Sequence, residues 1–274
     1  MAEVLIVLVL TLVFLIFLIE EQKNRMHNNL KIHFLDTGNS DCIFITSEYN
    51  FLIDCASREK ANYMIGYLKG LGVKKIDYLL LTHPHDNHVG GLITLLKTFE
   101  IGEILMCHGL NTIDEYKSFV RICREKTITS YIPKEGTEVS LGKNCNIKLY
   151  NCELSEEQVK NNWSIIAKLT CGERNALFMA DAQIFVEEKY FDMWEEVAIL
   201  KVGRHGHISS SSERFVKKVN PCYAIVTTGD NLYGYPSEKV LKRYRRQEAT
   251  VLRTDKVGNI VFTIEENKIK YETY

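Results

Sequence analysis

The sequence predicts an α/β chain, an αββα sandwich preceded by one N-terminal membrane helix. Three observations predict it. Short apolar or alternating runs of strand length recur from residue 31 onward, separated by runs with helical spacing. The strands fall into two β-rich halves with helices between and after them, the pattern of two sheets packed face to face under helical layers. Ahead of both halves, residues 4–19 read VLIVLVLTLVFLIFLI, polar only at Thr11.

That leading run is at the short end of a membrane span. A secretory signal peptide would carry a basic start and a small-residue cleavage site. Here the start is MAE, and Glu20, Glu21, Gln22 and Lys23 follow the run. The run therefore reads as an uncleaved single-pass anchor. Residues 1–22 form the anchor, 23–30 a polar linker and 31–274 one globular domain. Lys23, Arg25 and Lys31 follow the span and no basic residue precedes it, which places the domain in the cytoplasm by the positive-inside rule. A signal peptide would place it outside the cell. The eight cysteines show no CxxC and sit mostly in apolar runs, so they read as buried thiols rather than bonded pairs.

Within the domain, KIHFLD (31–36) and DCIFIT (41–46) are strands joined by TGNS, and NFLIDC (50–55) is a third. A helix over 60–71 stops at glycines. IDYLLLT (76–82) is a buried strand, and a helix follows over 90–97. A second round has strand 103–107, helix 112–125, strand 127–132, short strands over 137–150 and a hairpin over 164–181 turning at 172–175. Helix 184–193, strand 197–202, helix 212–219, strand 222–228, helix 236–245 and strands 249–253 and 259–265 complete the pattern.

The chemistry concentrates after strand 76–82, where residues 82–91 read THPHDNHVGG. His83, His85 and His88 have metal-ligand spacing, and loops at strand ends are where α/β folds place their sites. Two histidines two residues apart can face one ion, and the third can share it or face a second. Neutral imidazole suits Zn²⁺, Mn²⁺ or Fe. Asp54 and Asp181 each end a strand, and His205 and His207 follow another. A net charge of −1 gives no global field for nucleic acid. Lys239, Lys242, Arg243, Arg245 and Arg246 form one local basic face, suited to phosphate backbone or anionic lipid, or simply a solvated helix side.

These blocks resemble the metallo-β-lactamase fold superfamily, and more closely the hydrolase domain of ComEC-type DNA-uptake proteins and their stand-alone relatives. FLDTGNSDCIFI resembles FLDVGQGDAILI, FLIDC resembles LLIDTG, and LTHPHDNHVGGL resembles LTHPHADHIGGL. NNWSIIAKL resembles NNxSLVLRL, FMADA resembles LTGDA, and LKVGRHGHISSSS resembles LKVGHHGSKTSSS. NLYGYPS resembles NxYGHPS, and LRTDKVGNI resembles YRTDxxGxI. The resemblance spans about 31–264 and implies a metallo-β-lactamase-type sandwich with a metal-dependent hydrolase site. It implies one ion held by His83, His85 and bridging Asp181, and a second place formed by His88, Asp181, His205 and Asn87.

The departures all fall in or beside that site. Asn87 stands where the motif has aspartate, Arg204 where it has histidine, His207 where it has serine, and Tyr235 where it has histidine. Asn161 and Asn162 fall where the wider fold has another histidine. A neutral amide at 87 and a fixed cation at 204 both disfavour the second ion, so one ion is expected rather than two. Asp54 would orient a histidine, Asp181 would bridge, and Arg204 would clamp phosphate or fill the space of the lost ion. Three functions stay open. One is a metal-dependent phosphodiesterase or nuclease with a degraded second site. Another is a catalytically impaired pseudoenzyme that binds nucleic acid or protein. The third, a β-lactam or thioester hydrolase, is opposed by the ComEC-like blocks.

Overall fold

The computed structural model describes Phe14 and residues 30–142, 144–153, 159–265 and 268–274. The expected membrane helix over 4–19 lies, Phe14 aside, outside the described residues, and so does the 23–30 linker. Among the described residues no helix is long and apolar enough to cross a membrane.

Two sheets form the sandwich. The first comprises β1 (Leu30–Phe34), β2 (Ile43–Thr46), β3 (Asn50–Ile53), β4 (Lys75–Leu81), β5 (Glu100–Met106), β6 (Thr129–Tyr131), β14 (Ile260–Glu265) and β15 (Lys268–Thr273). Its order is β15-β14-β1-β2-β3-β4-β5-β6. Pairing is antiparallel as far as β3 and parallel beyond it. The second comprises β7 (Glu138–Gly142), β8 (Cys145–Tyr150), β9 (Ile166–Cys171), β10 (Arg174–Phe178), β11 (Ile199–Lys201), β12 (Tyr223–Val226) and β13 (Thr250–Arg253), in the order β13-β12-β11-β10-β9-β8-β7.

Strand alternation divides the second sheet's side chains between two cores. Ala176 and Phe178 of β10 join the core shared with the first sheet, while Leu177 between them faces the outer helices. The same alternation sends Ile199 inward and Leu200 outward. Lys201 is then obliged to point inward, and it is fully buried. Outside, helices Ile184–Lys189, Glu213–Val219 and Glu238–Arg245 pack Val186, Phe215, Val216, Val240, Leu241 and Tyr244 onto this sheet.

The expected sandwich is the one observed, with local differences. The 112–125 helix begins at Tyr116, and the 184–193 helix breaks into Ile184–Lys189 and a single turn at Phe191–Met193. β15 was not expected, because KIKYET is almost wholly exposed and has no buried apolar face to betray it. Cys42, Cys55, Cys107, Cys123 and Cys152 are buried thiols, as expected. Cys145 and Cys171 correct that expectation. They are direct cross-strand partners on β8 and β9 and form a disulfide.

Candidate metal centre

β3 and β4 run parallel, so their ends deliver Asp54 and Thr82 side by side. Asp54 adopts a left-handed conformation (φ 59°), which Asp tolerates better than most residues. Its Oδ1 accepts from the Thr82 amide (2.8 Å), and its Oδ2 accepts from Thr82 Oγ1 (2.7 Å) and from His88 Nδ1 (2.7 Å). His88 lies on the short helix Asp86–Val89. A proton on Nδ1 toward Asp54 leaves Nε2 facing the centre, the carboxylate–histidine arrangement that orients metal-binding imidazoles.

The second sheet supplies the other wall. Asp181 follows β10 and is held by donation from its amide to Ser164 Oγ (3.2 Å). His205 lies in the turn after β11, where Arg204 and His205 are both left-handed (φ 47° and 50°). Each such residue costs about 1–3 kcal/mol of strain and persists only where its surroundings over-determine it. Here the Arg204 amide donates to Ala180 O (2.9 Å), and Ser210 Oγ donates to Gly203 O (2.7 Å). Gly206 must be glycine, since its φ is 79° and a Cβ would meet Pro236 Cβ at 2.7 Å. His205 Nδ1 donates to Thr227 O (2.8 Å), which turns Nε2 inward.

The expected site residues converge in two groups that share Asp181. Ligand atoms of His83, His85 and Asp181 all lie within 4.8 Å of one another, as do those of His88, Asp181 and His205. In the first group His83 Nε2 lies 3.0 Å from His85 Nδ1 and 3.7 Å from Asp181 Oδ2. In the second, His88 Nε2 and His205 Nε2 each lie 3.4 Å from Asp181 Oδ1. His88 Nε2 and Asp181 Oδ1 are buried and have no hydrogen-bond partner. An unpartnered imidazole nitrogen and carboxylate oxygen facing each other fit a divalent cation, and the wider set of three more imidazoles fits Zn²⁺, Mn²⁺ or Fe.

The electrostatics set His88 apart from the other imidazoles. Burial opposes charge on His88, yet the carboxylates of Asp181 and Asp54 raise its pKa to about 10. Burial likewise works against Asp181, but His205, His88 and His83 hold its carboxyl well below the usual range. Burial, reinforced by His88, pushes His83 well below the usual imidazole value. Burial also lowers His205 and His85, which favours the neutral form that binds metal. Asp54 is raised by burial, against the pull of His88.

Of the four departures, His207 hydrogen-bonds with Ser209 through Nδ1 and Oγ (2.7 Å), and the other three take distinct positions. Asn87 Nδ2 donates to Asn39 O (3.3 Å) and to His205 Nε2 (3.1 Å), so the amide engages the atom that the second group needs. Arg204 is tied on the other side, beside His85. With the Asn161 amide turned so that its nitrogen donates to His85 Nδ1 (2.9 Å), its oxygen accepts from Arg204 Nε (2.7 Å) and Nη2 (3.3 Å). Arg204 Nη1 also donates to Ser209 Oγ (2.9 Å). Tyr235 stacks on His205, with centroids 6.4 Å apart and planes at 20°.

Sequence reasoning passed over Asp41, Lys201 and Thr227. Lys201 Nζ donates to Asp41 Oδ2 and to Ala180 O (2.9 Å), and Thr227 Oγ1 donates to Asp41 Oδ1 (2.6 Å). Although burial opposes it, Lys201 holds the Asp41 carboxyl below its ordinary value. This buried pair ties the loop before β2 to β11 and braces the carbonyl that orients His205. A lysine inside an apolar strand run was the available signal. Asp41, Asp54 and His88 also cluster, but Lys201 already supplies the cation there. The basic helix face is largely spent: Arg245 pairs with Glu238, Arg246 approaches Glu213, and Arg243 donates to Ser211 O (2.7 Å).

Above the two groups lies a cleft of about 730 Å³, open to solvent and lined by His85, Asn87, Asn161, Asp181, Arg204, His205 and the 230–235 loop. A sandwich of two mixed sheets with a histidine–aspartate centre at one end is the architecture of metal-dependent hydrolases of the metallo-β-lactamase fold, and this chain has that fold. Residues 35–106 match the model of the Metallo-beta-lactamase superfamily. The chain is 25% identical over 266 residues to ComE operon protein 3 of Bacillus subtilis, covering 89% of this chain and 34% of that protein. It is 25% identical over 252 residues to Competence protein ComA of Neisseria gonorrhoeae, covering 89% of this chain and 33% of that protein. It thus spans about a third of the length of these relatives. Among solved structures, the metallo-beta-lactamase fold protein YhfI of Bacillus subtilis superposes with a TM-score of 0.61 at 13% identity, over 86% of this chain and 100% of that one.

Proposed function

We propose that the domain is a metal-dependent hydrolase of phosphodiesters, nucleic acid foremost, working with one ion rather than two. The observation that carries this reading is the convergence of His83, His85 and Asp181, whose ligand atoms lie within 4.8 Å of one another at the floor of an open cleft. His83, His85 and Asp181 would hold the ion. His88 and His205 would complete a second place that Asn87 keeps weak by occupying His205 Nε2. A bound divalent ion would supply Lewis acidity, lowering the pKa of a water and polarising a phosphoryl oxygen. The other tasks belong to the chain. Asp54 fixes the ring of His88, and Asp181 offers one oxygen to each group, while the Asn161 amide, which donates to His85 Nδ1, must turn aside when that nitrogen holds the ion. Arg204 lines the cleft beside His85, held by Asn161 and Ser209, and its fixed positive charge there suits a phosphate oxygen. Resemblance to DNA-uptake and competence proteins favours nucleic acid as the ester, and the 4–19 run would tether the domain to a membrane.

A second reading has one specific observation behind it. The Asn87 amide satisfies His205 as a donor, as in a site that has given up its ion. On that reading the cleft binds nucleic acid or protein without cleaving it. The two separate in one experiment. Hydrolysis of a single-stranded oligonucleotide is followed with added Zn²⁺, Mn²⁺ or Fe²⁺, after chelation, and in His85→Ala. Metal-dependent cleavage lost in the last two supports the hydrolase. Binding without cleavage, unchanged by chelation, supports the alternative.

A further inference from the structure

One feature of the cleft is unused by this chemistry. The 230–235 loop carries two parallel aromatic rings out from the centre: Tyr235 lies on His205, and Tyr233 lies on Tyr235 with centroids 5.5 Å apart and planes at 23°. Tyr233 is 74% exposed, and its neighbour Leu232 is wholly exposed. Such a patch on a slack loop would mean little, but this loop is braced by one side chain. Asn231 Oδ1 accepts from the amides of Tyr233 (3.1 Å) and Tyr235 (3.0 Å), while its Nδ2 donates to Gly229 O (2.8 Å) and Tyr235 O (3.0 Å). The backbone that carries Tyr233 is thus held in place and its ring rests on Tyr235, so part of the ordering cost of a stacking contact is met before any ligand arrives.

We propose that Tyr233 is a nucleobase-stacking platform, and that the substrate of this site is single-stranded nucleic acid with one base laid on that ring. The proposal rests on the phosphodiester reading and narrows it. Charge does not favour a simple polyanion here, because Glu59, Asp86 and Asp230 line the same cleft as Arg204. Recognition must then come from a face contact, and a flat, exposed, pre-set aromatic ring beside a phosphate-fitting arginine meets a base and its neighbouring phosphate together. A base inside a duplex has both faces covered, so only an unpaired or terminal base can reach the ring. Base–aromatic stacking is tolerant of sequence, so the site discriminates strandedness rather than sequence.

The test uses the full chain in detergent micelles and a short single strand carrying one 2-aminopurine, whose fluorescence is quenched on stacking. A matched abasic strand serves as control. Wild type and Tyr233→Phe quench the probe and bind it alike. Tyr233→Ala loses the quench and weakens binding roughly fivefold to a hundredfold, while affinity for the abasic strand is unchanged. Equal weakening on both strands, an unquenched bound probe, or binding of neither strand overturns the proposal. Metal-dependent hydrolysis of the abasic strand is measured in parallel. If wild type and Tyr233→Ala cleave it equally, the hydrolase reading stands whatever becomes of the stacking platform.

Discussion

Asn87→Asp bears most directly on why one ion is expected. In the structure the Asn87 amide donates to His205 Nε2 at 3.1 Å, and an ion using that nitrogen must first displace the donor. A neutral hydrogen bond of this kind contributes about 0.5–1.5 kcal/mol net, and an interaction with a charged group about 1.5–3 kcal/mol. Aspartate at 87 removes the competing donor and adds the charged ligand, so the second group should gain about 2–4 kcal/mol, or roughly 30- to 1,000-fold in affinity. The same carboxylate would face Asp181 in the metal-free protein, so the variant should melt lower than wild type without metal and regain or exceed that loss when loaded. Calorimetric titration with Zn²⁺ or Mn²⁺ reads the affinity and stoichiometry, and thermal melts with and without metal read the linkage. A variant that still binds one ion, with unchanged affinity and an unchanged melt, would refute the assignment of Asn87 as the group that weakens the second place.

Other outcomes follow from the same geometry. His88 has its pKa raised to about 10 from 6.5, so its ion pairs stabilise the metal-free fold fully below pH 6.5 and are lost as pH rises through about 10. The advantage of wild type over Asp54→Asn in denaturant midpoint should therefore be largest below pH 6.5 and shrink as pH rises toward 10, and superimposable profiles would contradict the pairing. For the same reason, filling the His88 group releases a proton near neutral pH, measurable by calorimetry in buffers of different ionisation enthalpy. Lys201→Met strands the buried Asp41 carboxylate and should cost about 3–5 kcal/mol, with Asp41→Asn/Lys201→Met recovering much of it in urea melts. Asp54→Asn should weaken binding at the His88 group about 10- to 100-fold while the domain stays folded and the His83 group keeps its ion.

Much of this was legible before the structure, for identifiable reasons. Buried strands such as β4 and β10 declare themselves as apolar runs, and the acids and histidines at their ends stand out against them. The three-histidine turn and the sharing of Asp181 followed from spacing and resemblance. The direction of each ring did not. The inward turn of His205 depends on two consecutive left-handed residues and on the carbonyl of Thr227, and neither is encoded in the spacing of RHGH. Lys201 looked like an interruption of a strand, and only alternation relative to its sheet reveals that it points inward at Asp41. Arg204 could be foreseen as a cation at the site, but its tie to His85 through Asn161 joins segments far apart in sequence. β15 escaped because an exposed edge strand of alternating charge carries no apolar signal.

The central claim is that this altered histidine–aspartate centre still holds metal. Metal content per chain, measured by elemental mass spectrometry on protein made in metal-replete medium, tests it most directly. Close to one Zn, Mn or Fe per chain is expected, lost in His83→Ala and His85→Ala. Protein that retains no transition metal after gentle purification, and takes none up on titration, would contradict it.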